Sequence, residues 1–256
     1  MNWLPVYKKE LRSYFSSPIA YVMIFVFVGV IGVWWYFWDF QQYLILSMQT
    51  SRMPGMGGAP NVNETVIKSL FWNISLVMLF GIPLLTMRLF SEERKAGTHE
   101  LLFTLPLRDW EILLGKFLAC WTVFGLMLTL TAIYPIVMAI LSNPELLPIL
   151  TGYLGMLLLG GAFISVGIFI SSLTENQILA AFATYGTLLV PLVLGVTSGA
   201  VGPTIAEILL EMNIYQHVAS FLNGVIDTKD VVFYLVFFYL FMFLTLRSLE
   251  SRRWRG

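Results

Sequence analysis

Residue types able to do chemistry are scarce in this 256-residue chain: the histidines are His99 and His217, and Cys120 is the single cysteine. A serine or cysteine nucleophile needs a base within hydrogen-bond reach. Both histidines fall in polar segments, away from the apolar stretches that carry the serines, so each reads as an ordinary loop residue and no hydrolase site is indicated. His, Cys and acidic residues never come together at metal-ligand spacing. Met48, Met53 and Met56 are soft enough for copper, but read as the content of a loop. No G-x-x-x-x-G-K-[ST] phosphate loop is present, so if ATP powers this protein another polypeptide hydrolyses it. No catalytic residue, metal or cofactor is therefore expected on the chain. What polar chemistry remains lies in two charged runs, Glu92-Glu93-Arg94-Lys95 and Lys8-Lys9-Glu10 with Arg12.

The elements that carry these runs follow from composition. The chain is 58% hydrophobic and 12% charged, against about 45–50% and about 25% in soluble domains. Too little charge remains to cover a soluble surface, and the formal net charge of zero gives no basic excess for nucleic acid. Stretches free of Asp, Glu, Lys and Arg run over 13–38, 69–87, 117–144, 146–174, 176–206 and 231–246. A spanning helix needs about 20 apolar residues, so six helices are expected, with both termini on one side. If the termini are cytoplasmic, twelve Lys and Arg residues lie inside and three (Arg52, Lys68 and Lys229) outside, the bias of the positive-inside rule. Ionisable groups are missing between these bounds, which argues against transport driven by a proton gradient. No separate soluble domain is visible, and residues 1–256 read as one membrane domain.

Between the second and third spans lies the most informative segment. The second helix continues through Ser91 to Ala96, and Gly97 suits the left-handed position that ends a helix. Thr98 caps a short helix with Glu100 in its first turn, and Pro106 stops it. Asp109 then caps the third span. The short helix has two readings, one lying on lipid and one presenting a docking surface, between which the residues alone do not choose. At the N-terminus, Trp3, Leu4, Tyr7, Leu11, Tyr14 and Phe15 recur at helical spacing while Lys8, Lys9, Glu10 and Arg12 are polar. This is an amphipathic helix over 3–15 at the membrane surface. The run from Met53 to Pro60 is too rich in Gly and Pro for regular structure, and 39–68 reads as an outer loop. Gly155, Gly160, Gly161 and Gly167 read as sites of close helix packing, and Pro83, Pro135 and Pro191 as tolerated kinks.

Several motifs resemble those of ABC-2 type permeases. They are Lys8-Lys9-Glu10-Leu11 with Phe15-Ser16-Ser17-Pro18, and the run from Met87 through Leu102 followed by Pro106 and Leu113-Leu114-Gly115-Lys116. Ser165-Val166-Gly167 and the run from Ser171 to Gln177 are similar to the gliding-motility-associated permease subunits of that class. The resemblance implies an all-α polytopic membrane protein with six transmembrane helices and a type V-like exporter permease fold. It further implies a second permease subunit, identical or paralogous, a cytoplasmic ABC ATPase dimer that holds the ATP and Mg, and residence in the bacterial inner membrane. Residues 91–110 then form the coupling segment, with Glu92, Glu93, Arg94, Gly97, Thr98, His99 and Glu100 engaging the ATPase. Tyr7, Lys8, Lys9, Glu10 and Arg12 belong to the elbow helix. Ile205–Met212 and His217–Asn223 would supply two partly re-entrant outer helices within 200–229. His99 departs from the class, whose members usually have an apolar residue there. Two other functions stand beside an exporter subunit: a membrane platform that assembles an ATPase without transporting, and an ion-coupled secondary transporter.

Overall fold

The computed structural model describes residues 3–52, 61–95, 97, 108–197, 199 and 202–253. Helices α1 (Trp3–Ser16) and α2 (Pro18–Trp34) meet at Ser17, whose hydroxyl accepts from the Ile19 N–H while Pro18 starts the new helix, a position where its missing donor costs nothing. A π-helical segment, Trp35–Phe40, joins α2 to α3 (Gln41–Arg52). The second span begins with another π-helical segment, Asn63–Ile67, and continues as α4 (Lys68–Thr86) and α5 (Arg88–Lys95). Helices α6 (Asp109–Leu130) and α7 (Ile133–Leu141) form the third, α8 (Leu146–Leu173) the fourth and α9 (Gln177–Thr197) the fifth. After α10 (Pro203–Glu211), a 3-10 turn (Gln216–Val218) and α11 (Ala219–Leu222), α12 (Thr228–Arg253) closes the fold.

Six helices are thus long and apolar enough to cross a membrane: Pro18–Thr50, Asn63–Lys95, Asp109–Leu141, Leu146–Leu173, Gln177–Thr197 and Thr228–Ser251. The number matches the expectation, and so does the start of the third at Asp109, but the first runs on past Trp38 and the second begins before Ser69. Each of these runs for 33 residues, about 50 Å at 1.5 Å per residue, against a hydrocarbon core of about 30 Å. Most of 39–52 and 62–68, read from sequence as loop, is helical. The reason is Asp39, taken as the end of a span because it is charged. Its side chain instead turns inward and is 1% exposed. The carboxylate accepts from the Ser69 hydroxyl at 2.5 Å and from the Asn73 amide at 3.0 Å. Asp39→Leu deprives both donors of their acceptor and is expected to cost about 1–3 kcal/mol, read as a lower thermal midpoint in detergent, whereas Asp39→Asn keeps an acceptor oxygen and loses less.

The fourth span, α8, is the central post: 72% of its most apolar window is buried, against 17% for both α9 and α12. Its glycines let neighbours come close. A Cβ on Gly155 would stand 2.8 Å from Phe221 Cβ, and Cβ atoms on Gly160 and Gly167 would collide with Phe124 and Thr86. Gly161 is different, since a Cβ there meets Trp121 Nε1 only at 3.5 Å. Of the three prolines, Pro135 coincides with a break in its span: the turn at Thr131–Ala132 begins four residues before it, where proline removes the helical donor. Pro83 and Pro191 sit inside continuous helix. Asp109 is the first helical residue of α6 rather than its cap. The Glu111 carboxylate takes the N–H of Arg108 instead, at 3.2 Å.

Candidate functional site

Val6, Glu10 and Tyr14 are spaced by four, so they share one face of α1, and all three are buried. Val6 seats on Gly115 of α6, where a Cβ would come within 2.8 Å of Val6 Cβ. The Tyr14 hydroxyl donates to the Leu85 carbonyl at 2.8 Å. This face commits Glu10 to the interior, and a buried carboxylate needs a cation.

Lys116 supplies the cation from the second turn of α6. Its side chain is 1% exposed, and its ammonium lies 3.0 Å from Glu10 Oε1 and 2.9 Å from Glu93 Oε2. It also donates to the Leu89 carbonyl at 2.6 Å and stands 5.0 Å from the centre of the Phe90 ring. Lys9 completes the group, 2.9 Å from Glu93 and 3.4 Å from Glu10. Burial alone would lower the Lys9 pKa. The hydrogen bond and charge of Glu93, aided by Glu10, outweigh burial and raise it. Two cations and two carboxylates thus tie α1, α5 and α6 into one knot, with a cleft of about 240 Å³ beside it. Arg88 lines the cleft, its guanidinium 4.5 Å above the Tyr14 ring.

A second set of bonds ties α5 to the end of α8. The Ser171 hydroxyl accepts from the N–H groups of Phe90 and Ser91, at 3.2 and 3.3 Å, and donates to the Met87 carbonyl at 3.0 Å. Those N–H groups sit in the first turn of α5. Arg94 Nη1 reaches the Ser172 carbonyl at 2.7 Å, and the Ser172 hydroxyl reaches Ser248 of α12 at 3.4 Å. Ser171→Ala removes the hydroxyl that joins α5 to α8 and should lower stability by about 1 kcal/mol, the net worth of a typical hydrogen bond, checked by thermal unfolding of the purified chain.

The residues expected to act together are only partly brought together. Glu93, Arg94, Lys9 and Glu10 lie in the two bonded sets, whereas Glu92, Lys8 and Arg12 are exposed. Tyr7 bonds Thr122 of α6 at 3.2 Å. Gly97 has φ +68, as expected for a residue ending α5, and its N–H bonds the Arg94 carbonyl at 3.1 Å. Thr98, His99, Glu100 and the short helix expected after Gly97 lie outside the described residues. Sequence reasoning missed Lys116, Ser171 and Ser172 as members of the site. The available signal was Glu10 at four-residue spacing between Val6 and Tyr14, an acid on a packed face. His217, read as an ordinary loop residue, is buried and bonded to Asp230 at 2.6 Å.

Residues 39–249 match the family described as ABC-2 family transporter protein. The chain belongs to this family. The match covers the second through fifth spans and all but the last two residues of the sixth, while α1 and most of the first span precede it. Nothing among curated proteins matches the chain. Membership in the ABC-2 family makes this a multi-pass membrane protein and a permease-like component of an ABC transporter. The knot at Lys116 is therefore a feature of a permease, built between α1, α5 and α6.

Proposed function

We propose that this chain is the membrane-spanning permease subunit of an ATP-driven exporter in a bacterial inner membrane. On this reading a cytoplasmic ABC ATPase dimer holds the ATP and Mg, a second permease subunit completes the pathway, and the termini face the cytoplasm. The twelve-to-three division of basic residues supports that orientation. The single observation that carries coupling is the position of α5. Lys116 and Glu93 tie it to α1 and α6, and Ser171 and Arg94 tie it to α8. A partner pushing on the segment beyond Lys95 would displace the second, third and fourth spans together. Residues 91–110 are read as that coupling segment, α1 as the elbow, and 200–229 as outer helices around the pathway.

The gliding-motility-associated assignment rests on the residues from Ser165 to Gln177 and would be favoured by neighbouring reading frames that encode a phosphate-loop ATPase and a second permease of that subfamily. The function itself is tested by purifying the chain with its ATPase and measuring hydrolysis in liposomes. An exporter subunit gives hydrolysis that moves cargo, whereas an assembly platform binds the ATPase with no cargo-dependent turnover. Movement along an ion gradient by the chain alone would identify a secondary transporter instead.

A further inference from the structure

The cleft beside the Lys116 knot carries two charges that the knot leaves unused. Ser13 and Tyr14 of α1 and Arg88 and Glu92 of α5 are among the residues that line it. Within the knot, Lys9 and Lys116 balance Glu10 and Glu93. That leaves Arg88, half-buried, and Glu92, exposed. Neither has a hydrogen bond or an ion pair with any other described residue.

The two are four residues apart on one helix and still do not pair. Arginine before glutamate is the less favourable order at that spacing, and the guanidinium is drawn instead over the Tyr14 ring, 4.5 Å from its centre. That ring is fixed in turn by the bond from its hydroxyl to the Leu85 carbonyl. Arg88 is thus held in place with its fork of N–H donors lacking a protein acceptor. The Ser13 hydroxyl is a second donor in the cleft without a partner among the described residues.

An arginine fork matches the oxygens of a phosphate, and a carboxylate accepts from an ammonium. A simple anion would satisfy Arg88 but stand beside the carboxylates of Glu10, Glu92 and Glu93. A simple cation would satisfy Glu92 and leave Arg88 as it is. A group that joins a phosphate to an ammonium through a short linker satisfies both. The position suits a lipid. Arg88 is the first charge after the apolar stretch 69–87, and Lys116 is the last before 117–144. Charges that border a span stand at headgroup depth. The cleft measures about 240 Å³, well beyond the share of about 30 Å³ that one water takes in the liquid.

We propose that this cleft is a headgroup site for a zwitterionic aminophospholipid, with the phosphate on Arg88 and Ser13 and the ammonium on Glu92. A lipid seated there bridges α1 and α5 beside the knot. The site selects phosphatidylethanolamine over phosphatidylglycerol, which lacks the ammonium, and over phosphatidylcholine, whose quaternary nitrogen has no N–H to donate.

The full chain in mild detergent is given an equimolar mixture of the three lipids, and bound lipid is counted by native mass spectrometry. Phosphatidylethanolamine is expected to be retained most. Arg88→Gln should weaken its retention about tenfold, the loss of one charge-assisted hydrogen bond. Glu92→Gln alters an exposed side chain and should cut the preference over phosphatidylglycerol by up to about fivefold. If Arg88→Gln does not fold, the three-lipid competition and Glu92→Gln decide the matter. Equal retention of the three lipids, a preference for phosphatidylglycerol, or a preference that Glu92→Gln leaves unchanged overturns the site. Complete displacement by free phosphoethanolamine would transfer it to a soluble ligand and overturn the lipid assignment; retention against that competitor is the expected result. No ATPase enters the measurement, so its outcome is independent of the exporter reading.

Discussion

Lys116→Met is expected to destabilise the chain by about 3–5 kcal/mol, the cost of leaving buried charges without their partner. Methionine keeps most of the volume, so the loss is electrostatic: Glu10 and Glu93 lose their buried cation and the Leu89 carbonyl loses its donor. Lys9 cannot make up the difference, because its side chain is 59% exposed and a pair with that much solvent contributes about 1 kcal/mol or less. Thermal unfolding in detergent measures the effect. The double variant Lys116→Met, Glu93→Met should recover part of the loss, since a buried pair replaced by apolar residues of similar volume is often nearly neutral. A loss below about 1 kcal/mol for Lys116→Met would mean that the knot is solvated and does not hold α1, α5 and α6 together.

Gly97→Pro should act on coupling far more than on stability. Proline is confined to φ near −65°, whereas Gly97 sits at +68 and donates its N–H to Arg94. The chain beyond Gly97 must then leave in another direction. Helix α5 itself stays fastened by Ser171 and by Arg94 on Ser172. ATP-dependent turnover is expected to fall by about 5–150-fold, the range of a coupling free energy of about 1–3 kcal/mol, and by clearly more than in Gly97→Ala, which shares the backbone strain. Gly97→Ala separates backbone strain from side-chain clash, because a Cβ there meets nothing within 4 Å. It should cost about 1–2 kcal/mol through the left-handed conformation alone. Glu92→Arg reverses an exposed charge on the same helix and should weaken turnover in the same sense. Normal turnover in both Gly97→Pro and Glu92→Arg would remove 91–97 from the coupling path.

The six spans and the end of α5 were legible because charge gaps and a glycine in a polar run report directly on helix length and helix ends. The bounds of the first span were not, because a charge was taken as the edge of a helix at Asp39. Asp39 and Lys116 are both buried and sit on continuing helices, bonded by residues 23 to 106 positions away, and a one-dimensional reading does not show such partners. Glu10 was grouped with Lys8, Lys9 and Arg12 as polar surface, although its four-residue spacing to Val6 and Tyr14 places it on the packed face. His217 was misread for the opposite reason. Its partner Asp230 is close in sequence, but an irregular turn and a short helix separate them, so no helical or strand period brings the two together. The close approaches at Gly155, Gly160 and Gly167 were legible as a class, while Gly161, in the same run, turned out to have room.

One measurement bears most directly on the permease reading. The chain is purified from native membranes in mild detergent, the accompanying polypeptides are identified, and ATP hydrolysis is measured before and after reconstitution. A phosphate-loop ATPase in stoichiometric amount, whose hydrolysis depends on the chain and is uncoupled by Gly97→Pro, is the predicted result. A chain that carries no ATPase, or one whose ATPase turns over identically with and without it, would contradict the account.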